Sequence, residues 1–188
     1  MAEPTPNRIN WIDIETTGLD QHTDLLLEVG IVVTDDQLEV LDSASMVIGH
    51  FTEDLDARLG RSEHAKAMHT GNGLYDACVN SLHSVSDARR MIHDVLTRNN
   101  SVGAVVGGSS VAFDRSFLDV YMPRLNRELL HYRSIDTSSF KEIVRRVNAP
   151  LFASVPDFPQ THRVLDCLAG SIGELKHYLS ALTEGDAS

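Results

Sequence analysis

The chain has 188 residues, 42% of them apolar, with two cysteines and a formal net charge of −11. That length suits one domain spanning 1–188, its packed part at about residues 9–182, and the apolar share excludes a disordered chain. The acidic balance excludes a protein that grips long duplexes along a basic stripe, so any nucleic-acid substrate has to be short or held at one end. No apolar run reaches bilayer length, and Met1 to Arg8 lacks the basic-then-apolar layout of a signal peptide. Cys78 and Cys167 are too few for a disulfide framework and lack metal-site spacing, so a reducing, cytoplasmic setting is expected.

Trp11, Asp13 and Glu15 alternate with Ile12 and Ile14, the period of a strand, and Thr16-Thr17-Gly18 ends it. Both carboxylates therefore leave one face near the strand's C-terminal end, where open α/β sheets place ligands. Like charges so close repel unless neutralised. A pair of oxygen-seeking cations, Mg²⁺ or Mn²⁺, would neutralise them, while a solvated strand end is the simpler reading of an isolated D-x-E. Leu25 to Val33, apolar except for Glu28, reads as a buried strand. After a polar turn at 34–37, Leu38 to Ile48 reads as its hairpin partner. Glu28 is either an acid behind the site or a satisfied polar group of the strand.

Residues 50–81 read as loop with short helical pieces around a Gly71-Asn72-Gly73 turn. Ala88, Met91, Ile92, Val95 and Leu96 recur at helical spacing, with Ser84 or Ser86 as cap and Asn99-Asn100 as stop. Gly103 to Gly108 is a short buried strand, and Asp114 to Tyr121 a helix stopped by Pro123. Arg133 to Asp136 is a strand, followed by a helix over Thr137–Val147. Three prolines make 150–159 an irregular loop. The last helix runs from His162 or Arg163 to Leu182, and the tail from Thr183 to Ser188 is expected to fray. Strands followed by alternating strands and helices indicate the α/β class.

Three further stretches join the opening acids. Gly108 to Leu118 sets Asp114 at the start of a helix just after a strand. His131 to Asp136 groups aromatic, cationic and acidic side chains. Thr161 to Asp166 puts His162 before a helix whose first turn carries an acid. In order along the chain stand D-x-E-T-T-G-L, Glu28, His69-Thr70 with Gly73-Leu74, the block G-x-S-x-x-x-D-R-x-F, Met122-Pro123, H-Y-R-x-x-D with Ser138 and Lys141-Glu142, and Thr161-His162-Arg163. This ordered set resembles the DEDDh family of 3′→5′ exonucleases, and the H-Y-R segment its oligoribonuclease branch. The likeness covers about Ile9 to Leu179.

The resemblance implies a ribonuclease H-like α/β fold, a mixed central sheet (antiparallel hairpin plus parallel strands) flanked by helices, in a homodimer. It implies two Mg²⁺ or Mn²⁺ ions, about 3.5–4 Å apart, clamping the attacking and leaving oxygens of a scissile phosphate. Asp13, Glu15 and Asp114 match metal-binding acids, and His162 matches the general base, a task for a side chain titrating near neutrality. Leu19 and His69 match residues that wedge or stack on bases. Ser110, Ser138 and Arg133 match a cap over a 5′ phosphate, with Tyr132 and Arg133 supplied by the neighbouring subunit. Such a cap limits substrates to short single-stranded RNA, down to dinucleotides, which suits an acidic protein: one arginine fork and two cations hold a dinucleotide. Without the motif, His162 would read as a surface or capping residue, and Tyr132 and Arg133 as packing plus a surface ion pair.

One position departs from the family. Its last acid is due in the pattern H-x-x-x-x-D, which places it at Cys167, whereas Asp166 comes one residue early. One residue on a helix is about 100° of rotation, and sulfur is a soft donor poorly suited to Mg²⁺. Either the helix start shifts so that Asp166 becomes the metal and catalytic acid, or the site works weakly or with another metal, or hydrolysis is lost. Gly170 and Gly173 also loosen this helix. Three activities are therefore in play: the exoribonuclease, a non-catalytic binder of short oligonucleotides, and a proofreading-type DNA exonuclease, against which the H-Y-R segment weighs.

Overall fold

A computed structural model of the chain describes residues 3–159 and 161–185. Its centre is a five-stranded sheet built from β1 (Ile9–Thr16), β2 (Leu26–Thr34), β3 (Val40–Val47), β4 (Val105–Gly108) and β5 (Ser134–Asp136), in the order β3-β2-β1-β4-β5. The first three strands form an antiparallel meander, and β4 and β5 add in parallel to β1. This is the mixed α/β sheet expected from the sequence.

Strand periodicity assigns the two faces. Ile12 and Ile14 of β1, with Val29, Ile31 and Val33 of β2, pack against α4 (Val85–Arg98) and α5 (Val111–Tyr121) through Ile92, Val95, Phe117 and Leu118. Trp11 of β1 and Val32 of β2 face the other way and pack with Leu168, Ile172 and Leu175 of the last helix, α8 (Val164–Gly185). All nine residues of β2 are buried, which is why its sequence reads as a continuous apolar run. Trp11 is fully buried and its indole N–H donates to Thr34 Oγ1 at 3.0 Å, so the face carrying Asp13 and Glu15 is anchored below the acids.

Residues 50–81 fold as α1 (Thr52–Leu59), α2 (Glu63–Gly71) and α3 (Leu74–Asn80). Ser84 caps α4 in a reciprocal capping box with Asp87, and α6 (Thr137–Val147) keeps its expected bounds because Asp136 accepts from Ser139 N. Three expectations are corrected. Helix α5 starts at Val111 rather than at Asp114, which lies within its first turn. Residues 149–153 form a short helix, α7 (Ala149–Ala153): Pro150 sits in its first turn, where a missing N–H costs nothing, and Asn148 accepts from Leu151 N. Helix α8 runs past Leu182 to Gly185, and the remainder of the expected frayed tail, 186–188, lies outside the described residues. A π-helical turn at Leu125–Leu129 follows Pro123 and has no counterpart in the sequence reading. Among the described residues, no helix is long and apolar enough to cross a membrane.

Candidate metal centre and active site

Helix α8 lies on the acid-bearing face of the sheet because β2 offers it bare backbone. Gly30 pairs with Asp13, and a Cβ at Gly30 would stand 2.7 Å from Val164 Cγ2. Only glycine lets the first turn of α8 settle that close. One turn later Cys167 arrives over the acids. The ligand atoms of Asp13, Glu15 and Cys167 all lie within 4.8 Å of one another, with Cys167 Sγ 3.9 Å from Glu15 Oε1. Asp13 Oδ2 is buried and has no hydrogen-bond partner among the described residues.

Asp114 reaches the same region from α5. Strand β4 pairs with β1 only along Ile9–Trp11, so that edge of β1 has no strand partner beyond Trp11. The Ile14 amide there donates to Asp114 Oδ1 at 3.1 Å, holding the buried carboxylate beside β1.

Electrostatics mark these acids as a group. Burial first, then the charge of Glu28, pushes Asp13 up to about 7. Glu15 rises to about 8 through burial and the charges of Asp13 and Glu28. Asp114 rises to about 8 through burial and Asp13. Strongly raised carboxyls that act on one another's charge beside a cleft indicate a functional site. Two carboxylates and a sulfur within one ion's reach, one carboxylate carrying a buried oxygen unpaired among the described residues, fit a divalent cation. The oxygens suit Mg²⁺ or Mn²⁺, and the sulfur suits a softer ion.

Asp166 is not drawn into this trio. It is exposed, its Oδ2 accepts from Thr161 Oγ1 at 2.6 Å, and its neighbour Cys167 takes the inward position that one residue of helical rotation separates from it. His162 is exposed and adopts a left-handed backbone, φ 52°. Asn72 Nδ2 holds that turn by donating to the carbonyls of Thr161 at 3.1 Å and His162 at 2.7 Å. Immediately after it, Arg163 donates to both carboxylate oxygens of Glu28, at 2.8 and 2.9 Å, so the acid that stood out in β2 fastens the histidine segment to the sheet. His69 is fully buried and donates through Nε2 to the Thr16 carbonyl at 2.9 Å, at the end of β1. Burial first, and His162 as a nearby charge, keep its pKa below the ordinary imidazole value.

Leu19 projects into solvent at 84% exposure just beyond β1. Ser110 and Ser138 are brought together: their hydroxyls lie 3.4 Å apart, and Asp136 Oδ1 accepts from Ser138 Oγ at 2.6 Å and from Ser110 N at 3.2 Å. Tyr132 and Arg133 lie elsewhere. The parallel register sets Ser134 level with Val106 and Asn10, so Arg133 is level with Ile9, four residues or roughly 13 Å back along β1 from Asp13. Arg133 sits 5.6 Å from the Tyr132 ring centroid and pairs with Glu3 at 3.3 Å.

Asp13 opens into a cleft of about 240 Å³ that Ser109, Lys141, Phe158, Asp166 and Cys167 also line. A wider hollow of about 420 Å³, between α4 and the π-helical turn, contains none of the acids, so chemistry rather than size singles out the smaller one. Phe158 explains the glycines of α8: a Cβ at Gly173 would stand 2.5 Å from its ring, so the glycine admits the aromatic wall of the cleft. Sequence reasoning missed Phe158 and the Asn72 clamp. Asn72 carried a signal only as the centre of a Gly-Asn-Gly turn.

Residues 10–169 match the family model described as Exonuclease. The oligoribonuclease of Tropheryma whipplei (strain Twist) is 36% identical over 98% of this chain and 98% of its own length. That of Corynebacterium diphtheriae is 33% identical over 96% of this chain and 85% of its own. Among solved structures, the zinc-bound E. coli exonuclease I–single-stranded DNA complex superposes with a TM-score of 0.64 at 14% identity, covering 94% of this chain. The present chain spans 41% of that one, and the likeness is one of fold.

Proposed function

Because the chain belongs to the Exonuclease family and, within it, to the oligoribonucleases, we propose that it is a divalent-metal-dependent 3′→5′ exoribonuclease converting short oligoribonucleotides, down to dinucleotides, into nucleoside 5′-monophosphates. The observation that carries this reading is that Asp114, from a helix about a hundred residues away, is held against the stretch of β1 that bears Asp13 and Glu15, under the helix that follows His162. Asp13, Glu15 and Asp114 would hold two cations, Mg²⁺ or Mn²⁺. When bound, such ions supply charge neutralisation at the scissile phosphate. His162 takes the proton from the attacking water, and Asn72 and Arg163 hold the turn that presents it. Leu19 lies against a base, and the Ser110 and Ser138 hydroxyls receive the terminal phosphate. Tyr132 and Arg133, distant from the acids of their own chain, act on the site of a partner subunit in a homodimer. Two free cysteines fit a reducing, cytoplasmic location.

Incubation of the purified chain with a 5′-labelled RNA dinucleotide and Mn²⁺ is expected to release labelled monophosphate, and an intact dinucleotide overturns the reading. Cys167 in place of the family acid favours a second reading, a binder without turnover. That reading requires dinucleotide binding in the native chain, with hydrolysis appearing only on Cys167→Asp.

A further inference from the structure

Resting on the exonuclease reading above and going beyond it, we infer that Cys167 is a metal ligand and turns the cation site it shares with Asp13 and Glu15 away from Mg²⁺ towards thiophilic divalent ions, Zn²⁺ and Co²⁺ ahead of Mn²⁺.

Three observations support this. Bonds of about 2.0–2.3 Å to sulfur and oxygen span the 3.9 Å gap between Cys167 Sγ and Glu15 Oε1 without moving either residue. One carboxylate oxygen of Asp13 lies within 4.8 Å of the other donor atoms, and Asp13 Oδ2 is buried with no hydrogen-bond partner among the described residues, which leaves a buried oxygen for a cation to satisfy. Third, the sulfur is held in place. The Cys167 amide donates to the Arg163 carbonyl at 3.0 Å, and Arg163 is clamped to Glu28, which sets the phase of α8. The other cysteine has different surroundings: Cys78 is fully buried among Leu27, Leu55 and Leu74 and its Sγ donates to the Leu27 carbonyl at 3.7 Å, whereas Cys167 Sγ donates to the Glu15 carboxylate. On binding, the Cys167 S–H bond breaks, its proton passes to solvent, and the sulfur lone pair binds the cation with no change of oxidation state. Mg²⁺ demands oxygen donors and parts with water reluctantly, so replacing an acid by a thiol weakens it more than ions that accept sulfur.

The test uses the full chain stripped of cations. Titration with Co²⁺ is expected to produce near-ultraviolet thiolate-to-cobalt absorption that is absent in Cys167→Ser. Calorimetry is expected to show Zn²⁺ binding at least tenfold weaker in Cys167→Ser, and Mg²⁺ binding at least tenfold tighter in Cys167→Asp. Circular dichroism checks folding, and if Cys167→Asp does not fold, the Cys167→Ser comparison decides alone. Absence of the absorption band, or equal Zn²⁺ affinity in native chain and Cys167→Ser, overturns the inference. Dinucleotide hydrolysis is scored separately in Mn²⁺, Co²⁺ and Zn²⁺. A native chain that shows the band but cleaves no RNA sinks the exonuclease reading and leaves the ligand assignment standing, and cleavage without the band does the reverse.

Discussion

Arg163 and Glu28, 135 positions apart in sequence, form a two-point ion pair at 2.8 and 2.9 Å that pins the start of the last helix to the second strand. Glu28 is almost wholly buried, its side chain 3% exposed, and the pair sits between His162 on one side and Val164 on the other. Removing one partner of such a pair leaves a buried charge without compensation. Arg163→Ala is therefore expected to cost about 3–5 kcal/mol in urea unfolding and to lower turnover as well, since it frees the turn carrying His162. Arg163→Lys should recover only part of the loss, because an ammonium cannot make the paired contact. Equal stability of the native and Arg163→Ala chains would show that the pair does not anchor the helix.

Gly30 sets how near that helix comes. Gly30→Ala places a Cβ 2.7 Å from Val164 Cγ2, and the first turn of α8 has to lift. Overpacking of this kind costs about 1–3 kcal/mol. The change in turnover should exceed the change in substrate affinity, because what moves is Cys167 relative to Asp13 and Glu15. Steady-state kinetics separate the two effects.

The raised carboxyls predict how stability depends on pH. Asp13 and Asp114 lie above their ordinary 3.8, at about 7 and about 8, and Glu15 above its ordinary 4.5, at about 8. The folded chain thus binds protons that the unfolded chain releases from about pH 4 upward, and their stabilising effect is lost as pH rises through 7 to 8. Without divalent cations, the melting temperature should fall between pH 5 and pH 9. Added Mn²⁺ should flatten that slope, and its affinity should rise with pH as protons stop competing for the carboxylates. A metal-free melting temperature that climbs over this interval contradicts the raised values.

Asp13→Asn separates stability from function. It removes the most crowded charge of the cluster, so at pH 8 the metal-free variant should melt higher than the native chain. Hydrolysis of a dinucleotide should nevertheless fall at least about 100-fold, since a metal ligand supplies several kcal/mol of charge stabilisation and each 1.4 kcal/mol is a factor of ten. Scanning calorimetry and product release measure the two effects on one preparation.

The position of Arg133 predicts complementation between subunits. Arg133→Ala should raise KM for a 5′-phosphorylated dinucleotide while leaving the melting temperature within a degree or so, its contacts being an exposed pair with Glu3 and the Tyr132 ring. Mixing Arg133→Ala with Asp13→Asn should restore activity above that of either variant, because one site of the mixed dimer then has intact acids and an intact arginine. A mixture no more active than its parts would place Arg133 outside the partner's site.

Much of this molecule is legible along the chain because it depends on local periodicity. The alternation over Trp11 to Glu15 puts both acids on one face, the apolar run around Glu28 announces a strand buried on both sides, and the spacing of Ile92, Val95 and Leu96 marks a helix. The α/β class follows from pattern alone, and the grouping of Asp114 with Asp13 and Glu15 is what the resemblance of the ordered motifs to the DEDDh family implies. Which of residues 166 and 167 meets those acids does not. Sequence supplies the rotation between them, about 100°, but not the phase of the helix relative to the sheet. That phase is decided by contacts between residues more than a hundred positions apart, Glu28 on Arg163 and Val164 against the bare backbone of Gly30, together with Phe158 over Gly173. Local propensity carries no information about such pairs, so it is tertiary packing that brings the sulfur of Cys167, rather than the carboxylate of Asp166, within reach of Asp13 and Glu15.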